Sequence, residues 1–480
     1  MDGAPNDAAP DDAAGTGGGA DSPIDAEAAL AAAVPESVRH LMARLWTGGH
    51  AAFVVGGSVR DALLGRPAKD WDLATDARPD ELLDLFPGAV YENAFGMVAV
   101  RDGDEVHEIT TFRSDHDYAD FRRPHRVEFG ESIGVDLARR DFTVNAIAWG
   151  APAEGARVRT PGIVDPFGGR GDVAARVLRA VGEPEVRFGE DALRMLRAIR
   201  FAATLGFTIE PATMAAIRAR APLVEHLSGE RVAAELDRLL AADTPSVGLR
   251  LAAESGVLVG ISAELAAQQG VPQNKVPGED LWDHTLRTVD AAPAGRPIVR
   301  LAALLHDVAK PATLADGHFH GHDRLGAELT TAFLGRLRYP RAVVERVAHL
   351  VRYHMFDYRD SWSDTAVRRF IGRIGREALD ELFALREADN VGSGQPPNAH
   401  GLDELRARAR AELEAGVALD RGDLAIDGDD LQEELDLRPG PEIGRVLGGL
   451  LERVLADPAL NDRPTLLILA RSIAEDEADR

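Results

Sequence analysis

Two aspartates separated by one residue, in Lys69-Asp70-Trp71-Asp72-Leu73, carry the strongest chemical signal in the chain. In an extended segment residues i and i+2 share a face, so both carboxylates point the same way. Like charges at that spacing repel, and a divalent cation between them offsets the repulsion. Paired Mg²⁺ ions about 3.5 to 4 Å apart are how polymerases activate an attacking hydroxyl and stabilise departing pyrophosphate. Upstream, Val55-Gly56-Gly57-Ser58-Val59-Arg60-Asp61 places two glycines at a strand-to-helix junction. Backbone N–H groups there can receive a phosphate, with Arg60 as a fork donor. Gly-Gly before a helix is commonly a plain turn, and Asp-x-Asp a solvated one. The combination of Gly-Gly, Arg60 and the two aspartates within 17 residues is what points to a nucleotide site.

A second concentration of ligand-type residues lies between 282 and 389. It comprises Trp282-Asp283-His284, Leu304-Leu305-His306-Asp307, His320 and His322, His349 and His354, and Glu387-Ala388-Asp389. The chain has 14 His and no Cys, so thiolate zinc sites are excluded and any metal must be held by imidazole and carboxylate. Such a donor set suits Mn²⁺, Fe, Ni²⁺ or Mg²⁺ and can activate a water for phosphoester cleavage.

The elements that position these residues follow from composition and period. At 480 residues the chain has room for about three domains. Residues 1–34 are almost entirely Ala, Asp, Gly and Pro and read as a disordered tail. From Pro35 a helical run reaches Trp46, and strand character follows at 51–55, 71–74, 96–101, 105–112 and 126–129. Strands with few helices among them predict an α+β head over 35–175 with a mostly antiparallel sheet. Beyond it the period is helical, with helices expected at 189–205, 211–221, 229–242 and 246–255, stopped by Gly206 and Gly256. We delimit a helical neck at 176–270, a second helical domain at 280–395, and a helical tail at 400–480. No apolar stretch approaches the roughly 20 residues of a membrane span, so no membrane partner and a cytoplasmic location are expected.

Net charge is −25, which opposes nonspecific nucleic-acid binding if spread evenly. It is not spread evenly: residues 121–220 hold 16 Arg against 12 Asp plus Glu, a surplus on which a polyanion could dock. Lys occurs only at Lys69, Lys275 and Lys310. Either GC-rich coding or a need for phosphate forks would give such an excess of Arg.

With these motifs in view, the sequence resembles the nucleotidyltransferase superfamily of DNA polymerase β, and within it the bacterial CCA-adding tRNA nucleotidyltransferases and poly(A) polymerases. The resemblance runs from about residue 35 to 470 in unbroken order. It continues through Glu108 in His107-Glu108-Ile109, Arg139-Arg140-Asp141-Phe142-Thr143-Val144-Asn145, Asp165-Pro166-Phe167-Gly168-Gly169, Glu190-Asp191-Ala192-Leu193-Arg194 and Gly229-Glu230-Arg231-Val232. It implies a polymerase-β-like head followed by all-α neck, HD-like and tail domains, with tRNA, CTP and ATP as partners and Mg²⁺ as cofactor. By resemblance, Asp70 and Asp72 hold the catalytic Mg²⁺ ions and Glu108 is a third carboxylate. Gly57 and Arg60 meet the triphosphate, Arg140 and Asp141 contact phosphate and ribose, and Asn145 gives local support.

In the same family frame, Asp191, Arg194, Arg197 and Arg200 are expected to present one polar stripe on a helix. A carboxylate acceptor beside a guanidinium donor matches an exocyclic amine next to an unprotonated ring nitrogen, the pattern shared by cytosine and adenine. An Asp191–Arg194 pair would then accept CTP and ATP without a template. Residues 113–126 correspond to a mobile polar loop, with His116 and His125 on its surface. The set His284, His306, Asp307 and Asp389 resembles the HD phosphohydrolases and implies a second divalent metal, with His322, His349 and His354 available to a further site. A poly(A) polymerase or a partial CC- or A-adding enzyme shares the same motifs. A protein acting mainly as an HD-type phosphohydrolase is the alternative of another class.

Overall fold

The computed structural model describes residues 23–68, 70–93, 96–103, 105–118, 124–130, 132–154, 157–158, 160–273 and 275–478. It divides into a first compact unit ending at Glu183 and a second beginning at Pro184.

The first unit is built on a seven-stranded mixed sheet. Its strands are β1 (Ala52–Val55), β2 (Leu73–Thr75), β3 (Val90–Asn93), β4 (Met97–Asp102), β5 (Glu105–Thr111), β8 (Ala148–Ala151) and β11 (Gly162–Val164), in the order β11-β8-β1-β2-β5-β4-β3. Among the pairings, β2–β5 is parallel and the rest are antiparallel, with Leu73 opposite Ile109. One face packs on a core of Phe53, Val55, Ala74, Phe112, Leu137 and Val181. Trp71, Leu73 and Ile109 are buried, whereas Asp70, Asp72 and Glu108 are exposed, so the alternation of side chains along the strands sets the three carboxylates apart from the core.

Two expectations for this unit are corrected. The expected disordered tail does not extend to residue 34: Pro23–Ala33 is a helix (α1), anchored by the fully buried Leu30 and followed by buried Val34. Its Ala-rich sequence is a strong helix former, and two apolar anchors offset the ordering cost. Residues 113–118 and 124–126 are not loop: Arg113–Tyr118 (β6) and Pro124–Phe129 (β7) are strands that pair antiparallel, with His116 opposite Arg126. Polar composition hid β6, which shows no apolar alternation, whereas β7 is expected from residue 126 onward. The side chains of His116 and His125 lie outside the described residues.

The second unit is helical. Its first part contains α7 (Pro184–Glu190), α8 (Leu193–Leu205), α9 (Pro211–Arg220), α10 (Gly229–Leu240) and α11 (Pro245–Glu254), with α8 packed on α10 and α11. The helix expected over 189–205 is in fact two. Asp191 accepts a hydrogen bond from the backbone N–H of Leu193 at 3.0 Å and so starts α8 anew. After the short α12 (Val257–Ile261) and α13 (Ala263–Ala266) come α14 (Leu281–Ala291), α15 (Pro297–Leu305), α16 (Lys310–Thr313), α17 (His322–Arg336), α18 (Arg341–Tyr353), α19 (Asp364–Ile374) and α20 (Leu379–Gly392). Val299 to Leu305 of α15 are all buried, as expected of a helix at the centre of a bundle. The chain leaves that helix at His306, which is why a polar His-Asp pair lies in an apolar interior. Four further helices, at Leu402–Glu414, Gly428–Leu435, Pro441–Ala456 and Arg463–Ala478, complete the unit. The last three pack around Leu431, Val446, Leu450, Val454 and Leu466.

Candidate functional site

In the first unit the paired aspartates sit just before β2, and Glu108 is on the parallel neighbour β5. Since Leu73 is opposite Ile109, Asp72 and Glu108 stand one step back along adjacent strands. Asp70, Asp72 and Glu108 line one cavity of about 590 Å³ together with Trp71, Glu105 and His107. Desolvation raises the Asp72 carboxyl above its ordinary value; nearby Arg140 opposes the shift and Asp70 adds to it. Asp72 faces the cavity water yet is hemmed in by protein atoms, which accounts for both its exposure and this shift.

The glycine turn is explained by Arg140. Gly56 has φ +80°, and a Cβ there would lie 2.6 Å from Nη1 of Arg140. A side chain at 56 would therefore be strained and would displace the guanidinium beside Asp72. Gly57 opens α3 (Gly57–Leu63), the helix that carries Arg60. Arg60 is buried, and its Nη1 donates to Oδ1 of Asn145 at 2.6 Å while Nε donates to Asp61 at 2.8 Å. Asn145 Nδ2 in turn donates to Asp141 at 3.0 Å. Arg60, Asn145 and Asp141 thus form one buried chain, and the support role read for Asn145 is visible in its bonds. Asp136, which sequence reasoning passed over, is buried between Arg139 and Arg140. Burial alone would raise its carboxyl, but the two guanidiniums hold it below the ordinary value.

In the second unit the polar stripe is a network of separate pairs. Asp191 Oδ2 accepts from Arg231 of α10 at 2.6 Å, and Arg194 donates to Glu190 at 2.5 Å and to the carbonyl of Arg187 at 2.9 Å. Asp191 is thus held by Arg231 and Arg194 by Glu190, while the backbone N–H of Arg194 donates to the carbonyl of Asp191 at 3.1 Å. Arg200 is tied to buried Glu235 at 2.5 Å and lies over Phe201, and Arg197 also approaches that ring. Arg231 was quoted in the sequence motif without a role, and its partner shows what it does.

The histidine–aspartate residues converge. His284 from α14, His306 and Asp307 after α15, and Asp389 from α20 are all buried. Nε2 of His284 is 3.0 Å from Nε2 of His306, 3.4 Å from Asp307 Oδ2 and 3.3 Å from Asp389 Oδ1. On the other side of Asp307, Oδ1 faces Nε2 of His322 at 3.5 Å and Nε2 of His354 at 3.7 Å. Among the described residues, two groups bring their ligand atoms within 4.8 Å of one another: His284, His306 and Asp389, and Asp307, His322 and His354. Among the described residues Asp70, Asp72 and Glu108 do not form such a group of three. His349 does not join either set; its Nε2 is 2.7 Å from the carbonyl of Ile374.

This donor set fits a divalent cation. His306, His322 and His354 each place Nδ1 within 2.8 Å of a backbone carbonyl, at 2.8, 2.7 and 2.7 Å, which leaves Nε2 as the free donor atom facing Asp307. Nε2 of His322 and of His354 are buried without a hydrogen-bond partner, as is Asp307 Oδ1. Orphaned buried polar atoms of this kind are rare unless an ion or water satisfies them. Burial lowers the affinity of His306 and His322 for protons. Asp307 and Asp389 also stay ionised: burial alone would raise them, but the imidazoles and Lys310 or Lys275 hold them well below the ordinary range. A cavity of about 410 Å³ opens beside the cluster, lined by Lys275, Lys310, His320, Arg386 and Asp389.

Comparison with known proteins follows the same division. Residues 52–179 match the family described as "Poly A polymerase head domain", residues 206–268 the "Probable RNA and SrmB- binding site of polymerase A", and residues 281–393 the "HD domain". A CCA-adding enzyme of Geobacillus stearothermophilus is 44% identical over 418 residues, covering 86% of this chain and 91% of that protein. The chain belongs to the CCA-adding enzymes. Another member, from Lactococcus lactis subsp. cremoris (strain MG1363), is 34% identical over 439 residues, covering 89% of this chain and 94% of its own length. Among solved structures, the Bacillus stearothermophilus CCA-adding enzyme in complex with CTP is 28% identical, with a TM-score of 0.67, and covers 93% of this chain and 100% of that one. The Thermotoga maritima enzyme complexed with tRNA shares the fold at 20% identity and a TM-score of 0.58, covering 93% and 98% of the two chains. The mixed-sheet head followed by helical and HD regions is the architecture of this family.

Proposed function

We propose that the chain performs the reaction for which its family is named, adding C, C and A to the 3′ end of tRNA from CTP and ATP without a nucleic-acid template. The observation that carries this reading is the common wall formed by Asp70, Asp72 and Glu108 in a cavity of the polymerase-type head. Asp70 and Asp72 would hold Mg²⁺, which when bound lowers the charge barrier to attack by the terminal ribose hydroxyl on the α-phosphorus. Arg140 tempers the repulsion between the aspartates, and its charge is available to the nucleotide's phosphates. Arg60 positions Asn145 and Asp141. Asp191 and Arg194 supply base selection: each oxygen of Asp191 has a second acceptor direction beyond its bonds to Leu193 and Arg231. The Arg surplus of residues 121–220 supplies tRNA affinity, and a tRNA substrate implies a cytoplasmic location. The domain limits given from sequence, with head, neck, HD-like domain and tail, stand as the division of labour for this reaction.

The test uses tRNA transcripts lacking zero to three terminal nucleotides, with Mg²⁺ and each nucleoside triphosphate separately and together. Addition of C, C, A followed by arrest is expected. Long A tails would instead make the chain a poly(A) polymerase, and stopping at CC or requiring a preformed CC end would make it a partial enzyme. A second reading concerns the second unit alone: the convergence of His284, His306, Asp307 and Asp389 supports a divalent-metal site able to hydrolyse phosphoesters. Release of phosphate from 2′,3′-cyclic ends that is lost in His306→Ala but kept in Asp70→Ala supports it, and metal analysis unchanged by His306→Ala/Asp307→Ala refutes it.

A further inference from the structure

Lysine is scarce in this chain: of 54 Lys and Arg residues only Lys69, Lys275 and Lys310 are Lys. Two of those three reach into the histidine–aspartate cluster, each as a compact charge on a flexible stem. Lys310 is buried and lies 2.6 Å from Asp307 Oδ2, one helical turn from the residue it contacts. Lys275 is held differently. It belongs to the segment that precedes α14, its side chain is 34% exposed, and its Nζ is 3.4 Å from Asp389 Oδ1. The same Nζ is 3.4 Å from Nε2 of His284. These two atoms, themselves 3.3 Å apart, belong with His306 to the first of the two ligand sets. Further charge reaches that set from Arg386, which holds the other oxygen of Asp389 at 3.2 Å, and from Asp307, whose Oδ2 is 3.2 Å from His306 Nε2.

We propose that Lys275 is a displaceable counter-charge of the His284/His306/Asp389 set, seated on the ligand atoms until a divalent cation takes its place. The inference rests on reading this cluster as a metal site. A cation drawn to His284 Nε2 and Asp389 Oδ1 would meet the lysine charge at a few ångströms, where like charges repel strongly in a protein interior. Lys275 must then swing outward, which its exposed stem permits and which the buried Lys310 could not do. Cation binding at the first set is opposed by the contacts Lys275 gives up. The lysine at the second set, Asp307, His322 and His354, is Lys310, which is buried 2.6 Å from Asp307 Oδ2 and stays in place. The displaceable charge of Lys275 therefore weighs on the first set alone.

The experiment is calorimetric titration of Ni²⁺ into the full-length chain carrying Asp70→Ala/Asp72→Ala, so that the head carboxylates contribute nothing. Lys275→Met and Lys275→Gln are compared with the parent, with Lys275→Arg and with His306→Ala, each checked for folding by circular dichroism. Removing the charge is expected to tighten one of the two binding events by about tenfold and leave the other in place. Lys275→Arg, which keeps the charge, is expected not to tighten it. Unchanged or weaker binding in both Lys275→Met and Lys275→Gln overturns the proposal. His306→Ala separates the two readings: if it binds Ni²⁺ as the parent does, the metal-site reading has failed. If it loses one event while the Lys275 variants do not tighten, only the lysine inference falls.

Discussion

Arg60 donates through Nη1 to Oδ1 of Asn145 at 2.6 Å, inside the protein, and Asn145 passes the connection on to Asp141. An arginine that sequence position alone would send to a triphosphate is thus part of the frame of the site. Asn145→Ala removes the acceptor of Arg60 Nη1, leaving the Asp61 contacts in place, and should cost about 1–3 kcal/mol of stability. Thermal unfolding checks the stability, and nucleotide addition should fall with it because Asp141 loses the hydrogen bond from Asn145. Unchanged stability with normal addition would show that Arg60 has another sufficient partner.

The carboxylates of the cavity behave in the opposite way, since exposed groups add little to stability. Asp70→Ala and Asp72→Ala should leave the melting temperature near that of the parent and lower addition by about a thousandfold or more, the scale expected when charge stabilisation of the transition state is removed. The raised Asp72 carboxyl adds a pH signature. Addition should fail, as pH drops, at a higher pH than an ordinary aspartate would dictate. Raising Mg²⁺ should move that limb to lower pH, because the cation competes with the proton for the same oxygen. An acid limb that ignores Mg²⁺ would assign the titration to another group.

How far these sites were legible depended on whether their geometry was local. Asp70 and Asp72 could be paired from sequence because two residues of extended chain fix their faces. Glu108 reaches them through the parallel β2–β5 pairing, a register that no local pattern reveals and that only the family likeness supplied. For Asp191 and Arg194 a helical period could place the two near each other, but not the restart of the helix at Leu193 or the partners Arg231 and Glu190 that hold them. His306 and Asp307 were legible from the concentration of ligand-type residues between 282 and 389 and from the likeness to the HD phosphohydrolases. Lys275 was not, because it is placed by an irregular segment without a period to read.

Asp136 supplies a prediction with a definite sign. Its folded-state value lies below the unfolded one because Arg139 and Arg140 outweigh the burial that would raise it. Its contribution is therefore complete above the unfolded value, near ~3.9, and is lost as pH falls through the lower folded value. Asp136→Asn should destabilise the chain by about 3 kcal/mol at pH 7. The gap between variant and parent, followed by chemical denaturation, should shrink as pH is lowered through the acid range. A gap independent of pH would mean that packing, not charge, is what Asp136 contributes.

In the proposed function base selection falls to Asp191, whose Oδ2 accepts from Arg231 at 2.6 Å. Removing the carboxylate with Asp191→Ala should relax discrimination against UTP, read as incorporation of U and C from an equimolar mixture. Arg231→Ala keeps the carboxylate but frees its position, and should weaken selection by a smaller factor. A pair of variants that slow addition while leaving the C-to-U ratio intact would remove Asp191 from base recognition.

The spacing of the histidine–aspartate cluster is set by how closely α14 and α20 approach. A Cβ on Gly392 would lie 2.1 Å from Oγ1 of Thr288 and 3.1 Å from the carbonyl of His284, so only glycine lets the two helices meet where His284 and Asp389 face each other. Gly392→Ala should push them apart, cost about 1–3 kcal/mol, and weaken Ni²⁺ binding. Thr288→Ala removes the hydroxyl that meets the new Cβ, so the double variant should regain part of both losses, a coupling expected only of residues in contact. Additive losses in the double variant would mean that the helices are held apart by something other than this contact. Nucleotide addition serves as the internal control, since the aspartates that carry it are in the other unit.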